Sequence, residues 1–159
     1  MREQPKNQIS PDGLKVWRLQ EIIISAVCLL IVIAVAVLSY YFHWPYWISG
    51  VLGAVWLLGS IVTVFIIPKV RHKVWRYEVH EHEIDIQSGI FVVTRVIVPM
   101  VRVQHVDTSQ GPLLKKYNLA TVKISTAATV HSIPALEMEE ADRLRDSISR
   151  LARVTDDDV

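Results

Sequence analysis

The sequence predicts a membrane helical hairpin of two transmembrane helices, followed by an α+β domain in which an antiparallel sheet or open barrel is capped by a C-terminal helix. Residues 22–67 contain no Asp, Glu, Lys or Arg. Apolar residues then alternate in short runs over residues 74–136, which is typical of β-strands. An amphipathic helix is indicated last, by the spacing of Ala141, Leu144, Ile148 and Leu151. The 159 residues therefore divide into an N-terminal segment (1–20), the hairpin (21–67), the domain (68–153) and an acidic tail predicted to be disordered (154–159).

Each half of the uncharged run is long enough to cross a bilayer. Residues 22–42 and 47–67 would each span about 30 Å of hydrocarbon at about 1.5 Å per residue. Pro45, in the short connection between them, lacks the N–H that a continuing helix needs. A cleaved signal peptide fits poorly because a second span follows directly. No ionisable side chain lies inside either span, which argues against a transporter or a proton relay.

Basic residues flank the hairpin on both outer sides, and the turn has none. Lys15 and Arg18 precede the first span. Four juxtamembrane basic residues follow the second: Lys69, Arg71, Lys73 and Arg76. By the positive-inside rule, we expect a multi-pass protein of the cell (inner, cytoplasmic) membrane with both termini in the cytoplasm.

A β-hairpin is predicted at the start of the domain. Residues 74–81 alternate between apolar and polar side chains, and the alternation resumes at Ile84. A turn at residues 81–82 keeps one face apolar, with Val79 opposite Ile84 and Tyr77 opposite Ile86.

Four more strands and one short helix are predicted before the C-terminal helix. The strands cover residues 90–98, 101–108 with an irregularity, 119–126 and 130–136. Pro112 suits the first position of a helical turn over residues 112–118.

Charge and cysteine content exclude several classes of protein. The chain has 17 Lys and Arg against 16 Asp and Glu, without the basic surplus of a nucleic-acid binder. The single cysteine, Cys28, rules out a disulfide framework and a zinc site built on several cysteines.

The layout and one stretch of sequence resemble the bacterial pleckstrin-homology (PH)-like membrane protein family, most closely its YdbS-type members. The motifs are R-V-Q-x-V at residues 102–106, Q-G-x-L at 110–113 and L-A-T-V at 119–122. Asn118 stands where the family often has Gly, and Asn also tolerates the left-handed backbone conformation. The resemblance covers nearly the whole chain. It implies a cytoplasmic PH-like domain without an assigned reaction or cofactor, working as an interaction module beside a larger relative with several such domains.

Two polar clusters are candidates for chemistry. His80 and His82 would share a face of a single strand and reach one metal ion, but a turn at residues 81–82 separates them, and no third ligand follows. His105 and Asp107 alternate onto one face and form a candidate acid–base pair. Since the chain has no nucleophile elbow and no phosphate-binding glycine loop, we expect no catalytic, cofactor-binding or metal-binding residues.

The sequence instead favours a membrane-anchored interaction or scaffold module over an enzyme. We expect it to contact membrane lipids and another integral membrane protein of the same family, with a homo-oligomer as a further arrangement and no nucleic acid. A lipid- or peptide-sensing protein is the alternative function, and a metal-dependent enzyme is a more distant one. The predicted interaction patch comprises Arg102, Gln104, Gln110, Leu113, Leu114, Lys115, Lys116 and Tyr117.

Overall fold

The structure, a computed structural model, describes residues 4–157, and the side chains of residues 4–154. The chain forms two compact units. The helical hairpin is Trp17–Lys69, and the remainder, here called the head, consists of the chain up to Val16 and from Val70 onward.

The hairpin contains two long apolar helices, as predicted. Helix α1 covers Asp12–Tyr41, and the second helix begins as α2 at Tyr46–Ile61. A π-helical turn at Val62–Ile66 follows, and α3 continues over Ile67–Val74. Both helices are long and apolar enough to cross a membrane.

The second helix continues past Pro68, beyond residue 67, where the predicted span ends. The N–H of Ile67 bonds to the carbonyl of Val62, five residues earlier, because the preceding turn is π-helical. Proline lacks the N–H of the normal helical bond, and the wider turn accommodates that loss. The helix therefore runs to Val74, and the first predicted strand of the domain starts later, at Arg76.

Polar contacts join α1 and α2 inside the hairpin. Trp56 Nε1 donates to the carbonyl of Ser25 at 3.0 Å, and the hydroxyls of Ser25 and Ser60 lie 2.7 Å apart. Nearer the turn, the hydroxyl of Ser49 donates to that of Ser39 at 3.1 Å. Hydrogen bonds of this kind link helices where no water competes for the polar groups.

The head contains two antiparallel sheets. Sheet A has the order β1-β2-β3-β4, with β1 Asn7–Gln8, β2 Arg76–Val79, β3 Glu83–Gly89 and β4 Val93–Pro99. After a 3-10 turn at Met100–Arg102, sheet B has the order β5-β6-β7, with β5 Val103–Ser109, β6 Leu119–Thr126 and β7 Val130–Glu137. Helix α4, Pro112–Lys116, connects β5 to β6 and has Pro112 in its first turn.

The predicted register of the first hairpin is confirmed. Val79 lies opposite Ile84, and Tyr77 lies opposite Ile86. The predicted irregularity is also present, since the pairing of β5 with β6 shifts between Val103 and His105.

The core of the head lies between the sheets and helix α5, Met138–Asp157. The fully buried side chains come from both sheets and include Ile84, Val122, Ile124 and Ile133. Helix α5 packs on β5, β6 and β7, where Ala141 and Ile148 are 0% exposed. The predicted cap by the C-terminal helix is confirmed, although α5 runs four residues past its predicted end at residue 153. Of the predicted disordered tail, residues 158–159 lie outside the described residues.

The N-terminal flank belongs to the head, whereas the sequence analysis treated residues 1–20 as a separate segment. Strand β1 pairs with β2, and Ile9 and Val16 are buried. The N–H of Ser10 donates to the carbonyl of Ala135 at 3.0 Å. Two parts of the sequence separated by the hairpin therefore complete one sheet.

Among residues 4–157, the head has two residues other than glycine with a positive φ. Asn118 has a φ of 53° at the turn into β6, as its side chain type allowed. Ala135 has a φ of 54° within β7, where the pairing with β6 has already shifted between Ala120 and Val122. This bulge turns the Ala135 carbonyl toward Ser10.

Candidate interaction site

A cleft of about 450 Å³ opens in the head where the two sheets separate. One wall is the end of β4, with Ile97 and Pro99, continuing through Val101 of the 3-10 turn. The opposite wall is the β6–β7 turn, residues 126–129, with His131 of β7. The cleft is thus bounded by segments from both sheets.

The sequence creates this cleft by interrupting the backbone between β4 and β5. Pro99 has no N–H to donate and ends β4, and the 3-10 turn follows it. The turn is held by a hydrogen bond from the N–H of Met100 to the carbonyl of His82, at 2.9 Å. Strand β4 therefore pairs with β3 on one side and is the edge of sheet A on the other.

The walls of the cleft are mainly apolar, with a few polar groups. Ile97 is 42% exposed and Val101 is 53% exposed. Arg102, Gln104 and His131 supply the polar side chains, and no carboxylate is among the described residues that line the cleft. An apolar or acidic chain segment in an extended conformation fits this combination.

The predicted interaction patch is divided by the structure. Arg102 and Gln104 are exposed and line the cleft. Gln110 Nε2 donates to the carbonyl of Leu119 at 2.8 Å, and this bond ties the chain before α4 to the start of β6. Lys115 and Lys116 of α4 are exposed.

The apolar members of the predicted patch have a structural role that the sequence did not reveal. Leu113, Leu114 and Tyr117 are partly buried against the cluster formed by Val16, Leu119 and Ala135. Much of their apolar surface is therefore used inside the head, because the N-terminal flank packs there. Sequence reasoning also missed Ile97, His131 and the β6–β7 turn, and the one available signal was the interruption at Pro99.

Comparison with known proteins agrees with this architecture. The family described as bacterial PH domain matches residues 12–152, which is most of the chain. The chain belongs to the bacterial PH domain family. The predicted resemblance is confirmed, and the protein is a transmembrane protein with a PH-like domain.

One curated relative of this PH-domain protein is the UPF0699 transmembrane protein YdbT of Bacillus subtilis (strain 168). The two are 22% identical over 98 residues, which make up 59% of this chain and 18% of the relative. The chain thus spans less than a fifth of the length of that relative. No solved structure matches the chain.

Within the PH-like head, the two histidine-containing clusters have different geometries. His105 Nε2 lies 2.9 Å from Asp107 Oδ1, so these two residues do meet, with side chains that are 70% and 53% exposed. His80 Nε2 lies 3.9 Å from Glu78 Oε2, at the exposed β2–β3 turn. Among residues 4–157, no group of three His, Cys, Asp or Glu side chains is placed to hold a metal ion.

Two buried polar contacts stabilise the PH-like head away from the cleft. Asp85 on β3 is 2% exposed, and both of its carboxylate oxygens accept hydrogen bonds from Arg95 on β4, at 2.9 Å from Nε. The hydroxyl of Tyr77 donates to Glu140 of α5, which links sheet A to the C-terminal helix. Burial and this hydrogen bond raise the pKa of Tyr77 well above its ordinary value.

Proposed function

We propose that this chain is a membrane-anchored PH-like interaction module, an assembly partner in a membrane complex and not an enzyme. The cleft at the edge of β4 is the observation that carries the proposal. Its apolar walls and its Arg102 and His131 side chains receive an extended segment of another integral membrane protein of the same family.

The free edge of β4 explains how such a segment binds. An edge strand presents N–H and C=O groups that an added strand can pair with, while the alternate side chains of that strand enter a neighbouring pocket. The exposed side chains of Ile97 and Val101 provide apolar contact area beside that edge. Backbone pairing supplies the affinity, and the pocket supplies the selectivity.

Membrane attachment makes a small cleft sufficient. A tether raises the effective concentration of two partners in the same bilayer, so a weak interface is occupied without high intrinsic affinity. Proteins with this domain also occur as much longer chains, since this chain spans only 18% of one relative, and a longer chain of this kind is the partner we propose.

The pairing of β1 with β2 supports the proposed topology. These strands come from the two sides of the hairpin, and they lie in one sheet. If both spans cross the bilayer, the flanking segments must share one side of the membrane. The basic residues of α3 favour the cytoplasm, which supports a cytoplasmic location for both termini.

A matched pair of cross-linking positions tests the proposal. Val101 lines the cleft and is 53% exposed, and Val154 lies on α5 and is 55% exposed. A photo-reactive amino acid is introduced at either position in the full chain, which is irradiated in cells and purified in mild detergent. We expect position 101, and not 154, to cross-link to an integral membrane protein of the same family.

A cleft variant completes this test. Val101→Asp places a charge on the apolar wall and should remove the partner from the purified complex, whereas Val154→Asp should leave it bound. The proposal is wrong if the two positions cross-link equally, or if the unmodified chain purifies alone as a monomer under the same conditions.

A further inference from the structure

The β3–β4 turn of the head exposes an apolar tip, defined here as Phe91, Val92 and Val93. These side chains are 93%, 76% and 54% exposed. For comparison, the most exposed large apolar side chain of the two membrane helices is that of Tyr41, at 73%. A soluble domain seldom leaves such a group in water without a partner.

Strand register places this tip at a particular end of sheet A. Arg76, the first residue of β2, lies opposite Gln87 of β3, and Gln8 of β1 lies opposite Arg76. The second helix ends at Val74, just before β2, and α1 begins at Asp12, just after β1. Strand β3 continues from Gln87 to the turn. The tip therefore projects from the same end of the sheet at which both helices join it.

The lengths of the segments are compatible with contact between the tip and the bilayer. Helix α3, Ile67–Val74, extends about 10 Å beyond the end of the apolar span at residue 67, at about 1.5 Å per residue. Strand β3 continues beyond the pair of Arg76 and Gln87 to Gly89, about 7 Å at about 3.3 Å per residue, and the turn adds to this length. The two lengths are similar, as contact between the tip and the bilayer would require.

The fold fixes the backbone conformation of the turn that carries the tip. Gly89 has a φ of 141°, and a Cβ at this position would lie 2.0 Å from the carbonyl oxygen of Val92. Only glycine therefore permits this turn. The ion pair between Asp85 and Arg95 joins the two strands below it. The apolar side chains are thus held outward by a stable hairpin.

We propose that the tip inserts into the lipid bilayer and fixes the head against the membrane surface. Residues 88–94 contain no ionisable side chain, so the tip enters the apolar part of the interface without burying a charge. Aromatic and branched apolar side chains in the interfacial region of the bilayer are typical of membrane contacts. Lys69, Lys73 and Arg76, on the segment entering the same end of sheet A, suit the anionic lipid surface.

Fluorescence quenching tests this proposal. The full chain is placed in vesicles of phosphatidylcholine with a minority of phosphatidylglycerol. The native Cys28 is replaced by alanine, and one new cysteine, Phe91→Cys or Val130→Cys, carries an environment-sensitive dye. Val130, which is 57% exposed in the β6–β7 region, is the control. We expect spin-labelled lipids to quench the dye at position 91, and aqueous iodide to quench the dye at position 130.

Two results would overturn the proposal. Equal quenching by iodide at both positions would leave the tip in water. A dye at position 91 that is shielded from iodide, yet not quenched by spin-labelled lipids, would place the tip against a protein.

A second variant separates insertion from folding. The dye is moved to Val92→Cys, with Phe91 either retained or replaced by serine. We expect Phe91→Ser to reduce the ratio of inserted to free tip by about tenfold, which corresponds to about 1.4 kcal/mol. Because Phe91 is 93% exposed, thermal unfolding of the head should stay unchanged. Unchanged lipid quenching in this variant would contradict the inserted tip.

Discussion

Replacing Gly13 with alanine should destabilise the head, although the same change usually favours a helix. Gly13 lies in the first turn of α1, where alanine would normally be favoured by up to about 1 kcal/mol. Here a Cβ would lie 2.5 Å from the Cβ of Ala135 on β7, well inside van der Waals contact. Forced overpacking of this kind costs about 1–3 kcal/mol. A separation of 2.5 Å corresponds to the upper part of that range, about 2–3 kcal/mol. After subtraction of a helix gain of about 1 kcal/mol, we expect Gly13→Ala to lower the free energy of unfolding by about 1–2 kcal/mol.

Ala135→Gly should rescue this variant. It removes the clashing methyl group, and it also relieves the left-handed backbone of Ala135, which costs a residue with a side chain about 1–2 kcal/mol. The loss of one buried methyl, about 0.8 kcal/mol, offsets part of that gain. Alone, Ala135→Gly should stabilise the head by up to about 1 kcal/mol. The double variant should therefore recover stability and show a coupling of about 1–3 kcal/mol.

The assay is urea unfolding of the full chain in mild detergent, with hydrogen exchange of the β7 amides as a local probe. The full chain is required because a fragment starting after the hairpin would lack β1, Ile9 and Val16. Gly111→Ala is the matched control, since a Cβ at Gly111 meets nothing within 4 Å. Equal unfolding midpoints for Gly13→Ala and Gly111→Ala, or no rescue in the double variant, would refute the packing of the N-terminal flank on β7.

Three further changes probe the C-terminal helix, the contact between Tyr77 and Glu140, and the hairpin. Ile148→Ala should lower the free energy of unfolding by about 2–5 kcal/mol because Ile148 is 0% exposed. Leu144→Ala should lower it less because Leu144 is only half-buried. Similar denaturation midpoints for the two variants would contradict this. Tyr77→Phe should cost about 1.5 kcal/mol by loss of the hydrogen bond to Glu140. The pKa of Tyr77 is raised above its ordinary 10.0 in the folded state. The contribution of its protonated hydroxyl to the free energy of unfolding is therefore complete below pH 10.0 and is lost as the pH rises further. Unfolding measured against pH should show this loss in the wild type and less of it in Tyr77→Phe. Trp56→Phe should weaken the helical hairpin by about 0.6–1.7 kcal/mol in detergent-induced unfolding, while Trp47→Phe, at a side chain that is 68% exposed, should not.

Local patterns predicted most of the elements of the head. The pairing of Val79 with Ile84 followed from alternation, because a strand directs successive side chains to opposite faces. The start of α4 followed from Pro112, and the shift in β5 followed from the break in its pattern. Each of these features depends on residues close together in sequence.

The candidate site was less predictable because it combines distant segments. Arg102 and Gln104 were singled out, but their neighbours across the cleft, such as His131 and Thr129, come from a different hairpin. Leu113 and Tyr117 were predicted to be available for docking, and they pack on Val16 from the N-terminal flank. A periodic pattern states which face is apolar, and it does not state what covers that face.

The amino-acid sequence by itself determined the two apolar helices, the order of strands β2 to β7 along the chain and the family. Hydrophobicity, the alternation of apolar and polar residues, and turn residues act over a few neighbours, so they can be identified from the sequence alone. Only the tertiary structure decided that β1 joins a sheet formed after the hairpin, that Gly13 contacts Ala135, and that β4 is left as an edge beside a cleft. These contacts join residues more than 60 positions apart or depend on sheet order, and their energies exist only once the chain has folded.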